Sequence, residues 1–212
     1  MKRLIIIGSG ALGEQAAHYA VVSGEYDVVG YLNDFLPVGS VEGGYQILGN
    51  ISSVYELYGK DAFDFAFIAI GYNHFDFKEK VYRELVEHNI PLGTIIAPNV
   101  YIDPTATVGQ GCFLYPGVIV DKDATIEDCA LLNIHATISH NSVIGMHCFI
   151  AGGVTVCGFV EIGKKVFVGA NSAINDNLQI CDNVRIGSGT FIRESIDCPG
   201  TYVTQKNTIK LR

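Results

Sequence analysis

Every sixth residue from Ile102 to Ile192 is aliphatic, and the series runs through sixteen consecutive positions without a break. If roughly 25% of positions carried Ile, Val or Leu by chance, such a series would have a probability near ~10⁻¹⁰, so composition does not explain it. No other feature of the sequence restricts the possible folds as strongly. The series consists of Ile102, Val108, Leu114, Val120, Ile126, Leu132, Ile138, Ile144, Ile150, Val156, Ile162, Val168, Ile174, Ile180, Ile186 and Ile192.

A strict period of six predicts a parallel β-helix, in which each hexad supplies one short flat face and one corner. The aliphatic residue points inward, and the small or β-branched residues found four positions later in most hexads fit the narrow interior. Three faces close one triangular coil, so sixteen hexads make about five coils. At an inter-strand spacing of ~4.8 Å, we expect a prism about 25 Å tall.

The chain ahead of residue 98 has a different pattern, in which strand and helix signals alternate. Strands are predicted at residues 2–7, 26–32, 63–70 and 92–96, and helices at 11–23, 52–58 and 75–89. This alternation predicts a parallel sheet covered by helices. Only one mononucleotide-type half is present, whereas a complete dinucleotide-binding fold has two. We therefore expect an α/β domain over residues 1–97 and an all-β domain with a C-terminal tail over residues 98–212.

The composition argues against several classes of function. Lys and Arg total 14 and Asp and Glu total 22, and the resulting net charge of −8 argues against a nucleic-acid-binding surface. No apolar stretch approaches the ~20 residues needed to cross a bilayer, so no membrane span is expected. The six cysteines form no Cys-x-x-Cys pair, and the N-terminal apolar run breaks at Gly8 before a signal-peptide core forms. We expect reduced thiols and a cytoplasmic location.

A glycine-rich segment joins the first predicted strand to the first predicted helix. It reads Gly8-Ser-Gly10-Ala-Leu-Gly13, and Asp34 follows the second predicted strand. Such a turn places a phosphate over a helix N-terminus and a carboxylate near a ribose. Alternatively, the glycines serve only close packing of helix and strand. We do not expect NAD, because half of the fold offers no nicotinamide site.

The hexads resemble the left-handed β-helix of bacterial acyltransferases. Together with the short α/β domain, the whole chain is similar to sugar acyltransferases of the sialic acid O-acetyltransferase (NeuD) and bacillosamine acetyltransferase (PglD) type. The resemblance implies a Rossmann-like half domain followed by a left-handed parallel β-helix. It implies transfer of an acetyl group from acetyl-CoA to a nucleotide-linked amino sugar or related sugar in surface-polysaccharide or glycan biosynthesis. It also implies a homotrimer whose active sites lie between neighbouring chains, with neither metal nor NAD as a cofactor.

The segment Asn133-Ile-His-Ala-Thr-Ile-Ser-His140-Asn141 carries the catalytic part of the resemblance. It implies that His140 is the general base, followed by Asn141 where the family has an acid. An amide can hold a histidine tautomer through its oxygen, but it does not stabilise an imidazolium as a carboxylate does. The resemblance further implies that Gly158, one coil beyond the base, binds the acetyl carbonyl through its N–H. Phe149 aligns with a histidine of the family that contacts acetyl-CoA, so the resemblance implies that Phe149 lies at the acetyl-CoA site.

The resemblance also assigns the substrate-binding residues. The nucleotide-linked sugar is expected at Gly8, Gly10, Gly13, Asn33, Asp34, Gly71 and Asn73. The tail from Thr201 to Arg212 contains Lys206, Lys210 and Arg212 without an acid, and it fits either a clamp for CoA phosphates, with Lys206 as the contact, or a solvated terminus.

Two alternatives from other classes stay open on the residues alone. His135 and His140 have the five-residue spacing of γ-carbonic anhydrases, metal enzymes built on the same prism, but Asn99 stands where a third ligand would be sought. A nucleotide-sugar-binding protein that has lost catalysis is the second alternative, suggested by Asn141. His135 and His147 are otherwise expected to be surface or interface residues.

Overall fold

The computed structural model describes residues 1–204, which begin with an α/β region. A five-stranded sheet has the order β3-β4-β2-β1-β5, parallel except for the antiparallel pair β3–β4. The strands are β1 (Lys2–Ile7), β2 (Tyr26–Leu32), β3 (Val41–Glu42), β4 (Tyr45–Gly49) and β5 (Phe65–Ile68). The helices are α1 (Ala11–Val22), α2 (Ser53–Gly59) and α3 (Phe75–Glu87), with a 3₁₀ turn at Tyr72–His74.

The alternation of side chains along β1 places helices on both faces of this sheet. Leu4 and Ile6 pack with the alanines of α1, whereas Ile5 and Ile7 pack with apolar residues of α2 and α3. All four are fully buried. A strand buried on both faces explains why the sequence shows a continuous apolar run there rather than an alternation.

The β-helix is built from eighteen short strands that form three parallel sheets. The covered sheet contains β6 (Ile95–Ile96), β9 (Phe113–Leu114), β12 (Leu131–Leu132), β15 (Phe149–Ile150), β18 (Phe167–Val168), β21 (Val184–Ile186) and β23 (Gly200–Tyr202). The open sheet contains β7 (Tyr101–Ile102), β10 (Ile119–Val120), β13 (Thr137–Ile138), β16 (Thr155–Val156), β19 (Ala173–Ile174) and β22 (Phe191–Ile192). The polar sheet contains β8 (Thr107–Val108), β11 (Thr125–Ile126), β14 (Val143–Ile144), β17 (Glu161–Ile162) and β20 (Gln179–Ile180).

The predicted aliphatic series forms the interior of this prism. Strands are paired in a register of eighteen residues, so Val120 lies beside Ile102 and Ile138. Ile102 and Val108, at one end of the prism, are half-buried, and every later member of the series is buried. The hexads therefore form the predicted prism, in which each hexad places one apolar side chain in the core.

The α/β region lies against the covered sheet. Phe113 and Leu131 belong to the same buried cluster as Leu4, Ile6 and residues of α1. The Tyr115 hydroxyl donates a hydrogen bond of 2.8 Å to Gln15 Oε1 of α1. The outward side chains of Phe113 and Leu131 on this sheet are therefore covered by the protein's own N-terminal region.

Helix α3 crosses one corner of the prism, where residues eighteen apart along the chain adopt positive φ. The corner residues Cys129, His147 and Lys165 have φ of 58°, 61° and 56°. The Lys78 ammonium donates a hydrogen bond of 2.6 Å to the Cys129 carbonyl oxygen, and the Tyr82 hydroxyl donates one of 2.7 Å to Asp128 Oδ2. Polar contacts as well as apolar packing thus join α3 to the β-helix.

One sequence prediction about this region is wrong in part, and one hairpin was not predicted. Residues 92–96 do not form a strand that simply extends the first sheet. Leu92 makes a single bridge to Ala66, while Ile95–Ile96 pairs with Phe113–Leu114 and so starts the covered sheet. The hairpin β3–β4 was not predicted. The division of the chain at residue 97 stays a prediction.

No helix within residues 1–204 is long and apolar enough to span a membrane.

Candidate active site and nucleotide site

His140 and Asn141 lie at the corner that joins the open sheet to the polar sheet, directly after β13. Both are exposed, and Asn141 has a φ of 58°. His140 Nδ1 is 3.1 Å from Asn141 Oδ1. Because a carbonyl oxygen only accepts, this contact assigns the proton to Nδ1 and leaves a lone pair on Nε2. Asn141 thus holds the imidazole in the tautomer that a general base at Nε2 requires.

Gly158 lies under the His140 ring, one coil further along the prism. A Cβ built on Gly158 would be 2.7 Å from Cε1 and 2.8 Å from Nε2 of His140, so only glycine leaves room for the ring. The Phe159 N–H donates to the His140 carbonyl at 3.1 Å, and its ring meets the imidazole edge-on at 5.2 Å. Within residues 1–204 the Gly158 N–H donates no hydrogen bond. The corner combines an imidazole that has a lone pair on Nε2 with a backbone N–H that donates no hydrogen bond among the described residues.

Phe149 is not brought to this corner. It lies on the covered sheet, half-buried, with its ring centroid 4.8 Å from that of Tyr72 and 5.6 Å from that of Phe167. The structure therefore unites His140, Asn141 and Gly158 and places Phe149 on another face of the prism. Lys206, the predicted CoA contact, lies outside the described residues.

The three glycines of the predicted phosphate loop differ in what the fold requires of them. Gly8 has a φ of 103°, and a Cβ there would lie 2.7 Å from the Ala69 carbonyl oxygen. A Cβ on Gly13 would lie 2.2 Å from the Gly8 oxygen. Gly10 has extended backbone with φ of −74° and ψ of −171°, and a Cβ would meet nothing within 4 Å. Close packing explains why glycine is needed at Gly8 and Gly13, but it does not explain why position 10 carries glycine.

Asn33 and Asp34 lie at the carboxyl end of β2, beside this loop. The Asn33 side chain donates to Ser9 Oγ at 2.8 Å and accepts from the Phe35 N–H at 2.7 Å, so it ties two loops together. Asp34 Oδ1 accepts from the Ile51 N–H at 2.8 Å. The exposed Asp34 lines a cavity of about 390 Å³ bounded also by α2 and α3.

Gly71 and Asn73 follow β5 at the same edge of the sheet, since carboxyl ends of parallel strands share an edge. Asn73 and its neighbour Tyr72 line a second cavity of about 450 Å³, and Phe77 lines both cavities. Arg185, from the covered sheet, also lines the second cavity. Arg185 was not among the residues predicted from the sequence. The signal available was a cation at an outward hexad position where the preceding coils carry phenylalanine.

Two histidines outside the corner differ in their surroundings. His135 is exposed, with its ring over Gly117. His147 is 2% exposed beneath α3, and neither of its ring nitrogens has a hydrogen-bond partner within residues 1–204. Burial lowers the pKa of His147 to about 4. The expectation of a surface position is wrong for His147 because α3 covers its corner. Within the described residues, no group of three His, Cys, Asp or Glu side chains is placed to hold a metal ion.

Two family models match the chain. Residues 3–85 match the PglD N-terminal domain, and residues 159–194 match the bacterial transferase hexapeptide repeats. The first region of the chain is thus similar to the PglD N-terminal domain, and part of the β-helix is similar to bacterial transferase hexapeptide repeats. The resemblance stated from the sequence is confirmed by these matches.

Solved structures share the whole fold. The acetyltransferase domain of PglB from Neisseria gonorrhoeae is 22% identical, with a TM-score of 0.86 over 96% of this chain and 97% of that chain. PerB from Caulobacter crescentus, solved with CoA and GDP-perosamine, is 22% identical, with a TM-score of 0.88 over 96% and 95%. The predicted fold class, a Rossmann-like half domain followed by a left-handed parallel β-helix, is confirmed.

The curated relatives align with this chain over only part of their own length. A probable mitochondrial UDP-3-O-acylglucosamine N-acyltransferase of Arabidopsis thaliana is 26% identical over 64% of this chain and 42% of its own. The UDP-3-O-acylglucosamine N-acyltransferase of Herminiimonas arsenicoxydans is 40% identical over 38% and 23%. The chain thus spans less than half the length of these relatives.

Proposed function

We propose that this protein transfers an acetyl group from acetyl-CoA to a nucleotide-linked amino sugar or related sugar. The observation that carries the proposal is the corner at which His140, oriented by Asn141, covers Gly158. The α/β region supports the acceptor class, because its strand ends bring a glycine-rich loop and an exposed carboxylate to one edge. Solved neighbours bound to acetyl-CoA, or to CoA and GDP-perosamine, point to the same pair of substrates.

In the proposed reaction, Nε2 of His140 removes a proton from the amine or hydroxyl of the acceptor. The acceptor atom forms a bond to the thioester carbonyl carbon, and the Gly158 N–H donates to the oxyanion that develops. When the oxyanion collapses, the C–S bond breaks and the thiolate of CoA leaves with the proton held by His140. No covalent intermediate with the protein is needed.

We propose a homotrimer in which neighbours pack through the open sheet. The covered sheet is occupied by the α/β region, and the polar sheet presents polar outward residues such as Glu161 and Gln179. Within residues 1–204, the outward residues of the open sheet are all uncharged, and several of them are exposed. They are Tyr101, Ile119, Thr137, Thr155, Ala173 and Phe191. Because His140 follows a strand of this sheet, a neighbour there would border the proposed active site.

The proposed location is the cytoplasm, where acetyl-CoA and nucleotide-linked sugars are both available.

The test is turnover of purified protein with acetyl-CoA and a panel of nucleotide-linked amino sugars, followed as release of the CoA thiol. We expect His140→Ala to lower kcat by about 10²- to 10⁴-fold, the usual range for loss of a general base. His135→Ala is the matched control, because His135 is also an exposed corner histidine whose ring covers a glycine. It should leave kcat unchanged.

Equal activity of His140→Ala and His135→Ala would remove His140 from the mechanism. Absence of thiol release with every acceptor, together with binding of a nucleotide sugar, would favour the alternative of a binding protein that has lost catalysis.

A further inference from the structure

The outward row of the covered sheet contains a cation after two phenylalanines. Phe149, Phe167 and Arg185 occupy equivalent positions on successive strands. Tyr72, in the 3₁₀ turn after β5, lies against all three, with ring centroids 4.8 Å and 4.4 Å from the two phenylalanines. The guanidinium carbon of Arg185 is 5.4 Å from the Tyr72 ring centre and 5.0 Å from that of Phe167. Two aromatic rings therefore restrict the orientation of the guanidinium.

This guanidinium has hydrogen-bonding capacity to spare. Its contacts to the Tyr72 carbonyl oxygen and to Asn73 Oδ1 are long, at 3.4 Å and 3.5 Å. Arg185 forms no ion pair with any other residue in the range 1–204. A guanidinium carries five N–H donors in a planar fork that matches phosphate oxygens. Arg185 is therefore equipped to bind an anion.

The cavity in front of Arg185 has the size of a small-molecule site, about 450 Å³. Its second cation, Lys165, is already neutralised, because its ammonium lies 3.0 Å from both Asp76 and Glu79. Those carboxylates hold the pKa of Lys165 above its ordinary value. Arg185, by contrast, is a cation of the cavity wall that pairs with no carboxylate among the described residues. The chain as a whole has a net charge of −8.

We propose that Arg185 binds a phosphate group of a substrate in this cavity. The inference rests on the proposed function, which supplies two diphosphate-containing candidates, the nucleotide of the acceptor sugar and CoA. Asn73, which lines the cavity, belongs to the predicted nucleotide site. The β-helix would then contribute directly to a substrate site that the sequence assigns to the α/β region alone.

The test measures binding by titration calorimetry, without turnover. The probes are UDP, GDP, dTDP, the matching nucleosides, and CoA. We expect Arg185→Gln to weaken binding of the phosphate-bearing ligand by about 10- to 100-fold, the usual cost of losing a charged hydrogen bond. Affinity for the nucleoside, which carries no phosphate, should not change. Arg83→Gln is the matched control, since Arg83 is an exposed α3 residue paired with Glu79.

A loss confined to a nucleoside diphosphate would assign the phosphate to the acceptor, and a loss confined to CoA would assign it to the donor. Either result supports the inference. Unchanged affinities for all ligands would overturn it, while acetyl transfer by the same protein would leave the proposed function standing. A wild-type protein that binds none of these ligands would also overturn it. If Arg185→Gln does not fold, Arg185→Lys, which keeps the charge without the planar fork, carries the test with a smaller expected loss.

Discussion

The imidazole of His140 has its place because the residue beneath it has no side chain. Any larger residue at position 158 would occupy the space of the ring, since a Cβ there would lie under 3.0 Å from two ring atoms. The ring is exposed and belongs to a flexible side chain, so it can swing away at small cost to the fold. Position 158 therefore controls the position of the base more than the stability of the protein.

We expect Gly158→Ala to lower kcat by about 10²-fold or more while changing the melting temperature little, because displacement of a general base forfeits most of its contribution. Gly152→Ala is the control, since its Cβ would touch only the Ile134 carbonyl oxygen at 3.3 Å. The measurement is kcat alongside thermal unfolding. A fully active Gly158→Ala variant would contradict the proposed arrangement of base and donor.

Gly10 offers a second test at the residue scale. Its backbone conformation is open to any residue and a Cβ would meet nothing within 4 Å, so Gly10→Ala should fold as well as wild type. If a phosphate approaches the backbone here, the added methyl group should weaken binding of a nucleotide sugar by about tenfold or more. Gly59→Ala, also at an open position, is the control for calorimetric titration. Unchanged affinity in Gly10→Ala would place the nucleotide elsewhere.

At the scale of elements, α3 is joined to the β-helix by a row of polar contacts over one corner. Three residues lie along this corner: the buried Lys78, the ion-paired Lys165 and His147, whose ring nitrogens have no hydrogen-bond partner among residues 1–204. Burial lowers the pKa of Lys78 as well as that of His147. Helix α3 follows the Tyr72–His74 turn. The contact between this helix and the β-helix thus includes two buried groups, Lys78 and His147, whose pKa values are lowered by burial.

Protonation of His147 should destabilise the folded protein. Its folded pKa of about 4 lies below its ordinary value of 6.5, so the unfolded chain binds a proton first as pH falls. The surrounding charges are those of Lys78, Glu79, Asp128 and Lys165. Stability should therefore be fully present above pH 6.5 and decline between pH 6.5 and 4 by about 3 kcal/mol from this group.

The measurement is the free energy of unfolding across that pH range in wild type, His147→Leu and His135→Leu. His147→Leu should flatten the decline, and His135→Leu, at an exposed corner position, is the matched control. Parallel pH profiles for wild type and His147→Leu would show that His147 takes up its proton without cost in the folded state.

The elements themselves were largely predictable from the sequence. The bounds of β1 and β2 agree with the predicted residues 2–7 and 26–32, and α1 ends one residue before the predicted limit. These elements have strong local signals, an apolar run ended by glycine or a helical spacing. The pair β3–β4 was missed because β3 has only two residues and so shows no apolar alternation, although Gly43-Gly44 is a two-residue turn typical of hairpins.

The candidate site was predictable only in part. The period of eighteen places Gly158 one coil from His140, so their proximity follows from counting. Counting does not tell which face of the prism the α/β region covers, and so it does not foresee the burial of His147 or the contact of Phe149 with Tyr72. These depend on how two regions distant in sequence pack together.

At the scale of the whole molecule, the three faces of the prism have three different surroundings. One is covered by the α/β region, one presents polar side chains to solvent, and the open sheet presents an uncharged row that includes the exposed Tyr101, Ile119 and Phe191. A contiguous uncharged row on a chain of net charge −8 is suited to contact with a second copy.

We expect Ile119→Arg to dissociate the proposed trimer, because it places a cation in the middle of the uncharged row, where three copies would bury it. Thr125→Arg is the control, since it occupies the same outward position on the polar sheet. The mass in solution is measured by light scattering, and kcat is measured on the same samples. A trimeric and active Ile119→Arg protein, or a monomeric wild type, would exclude this face as the interface.

Because strands pair in a register of eighteen residues, the number of a residue in the β-helix fixes both its height along the axis and the face of the prism on which it lies. Adding eighteen residues would shift everything downstream along the axis by about 4.8 Å without rotation, whereas adding six would turn it by a third of a circle. A six-residue insertion between His140 and Gly158 would carry the glycine to a different corner and separate base from donor. Changes in chain length ahead of His140 or beyond Gly158 leave the proposed base and donor aligned with each other, because the register between the two residues is then unchanged.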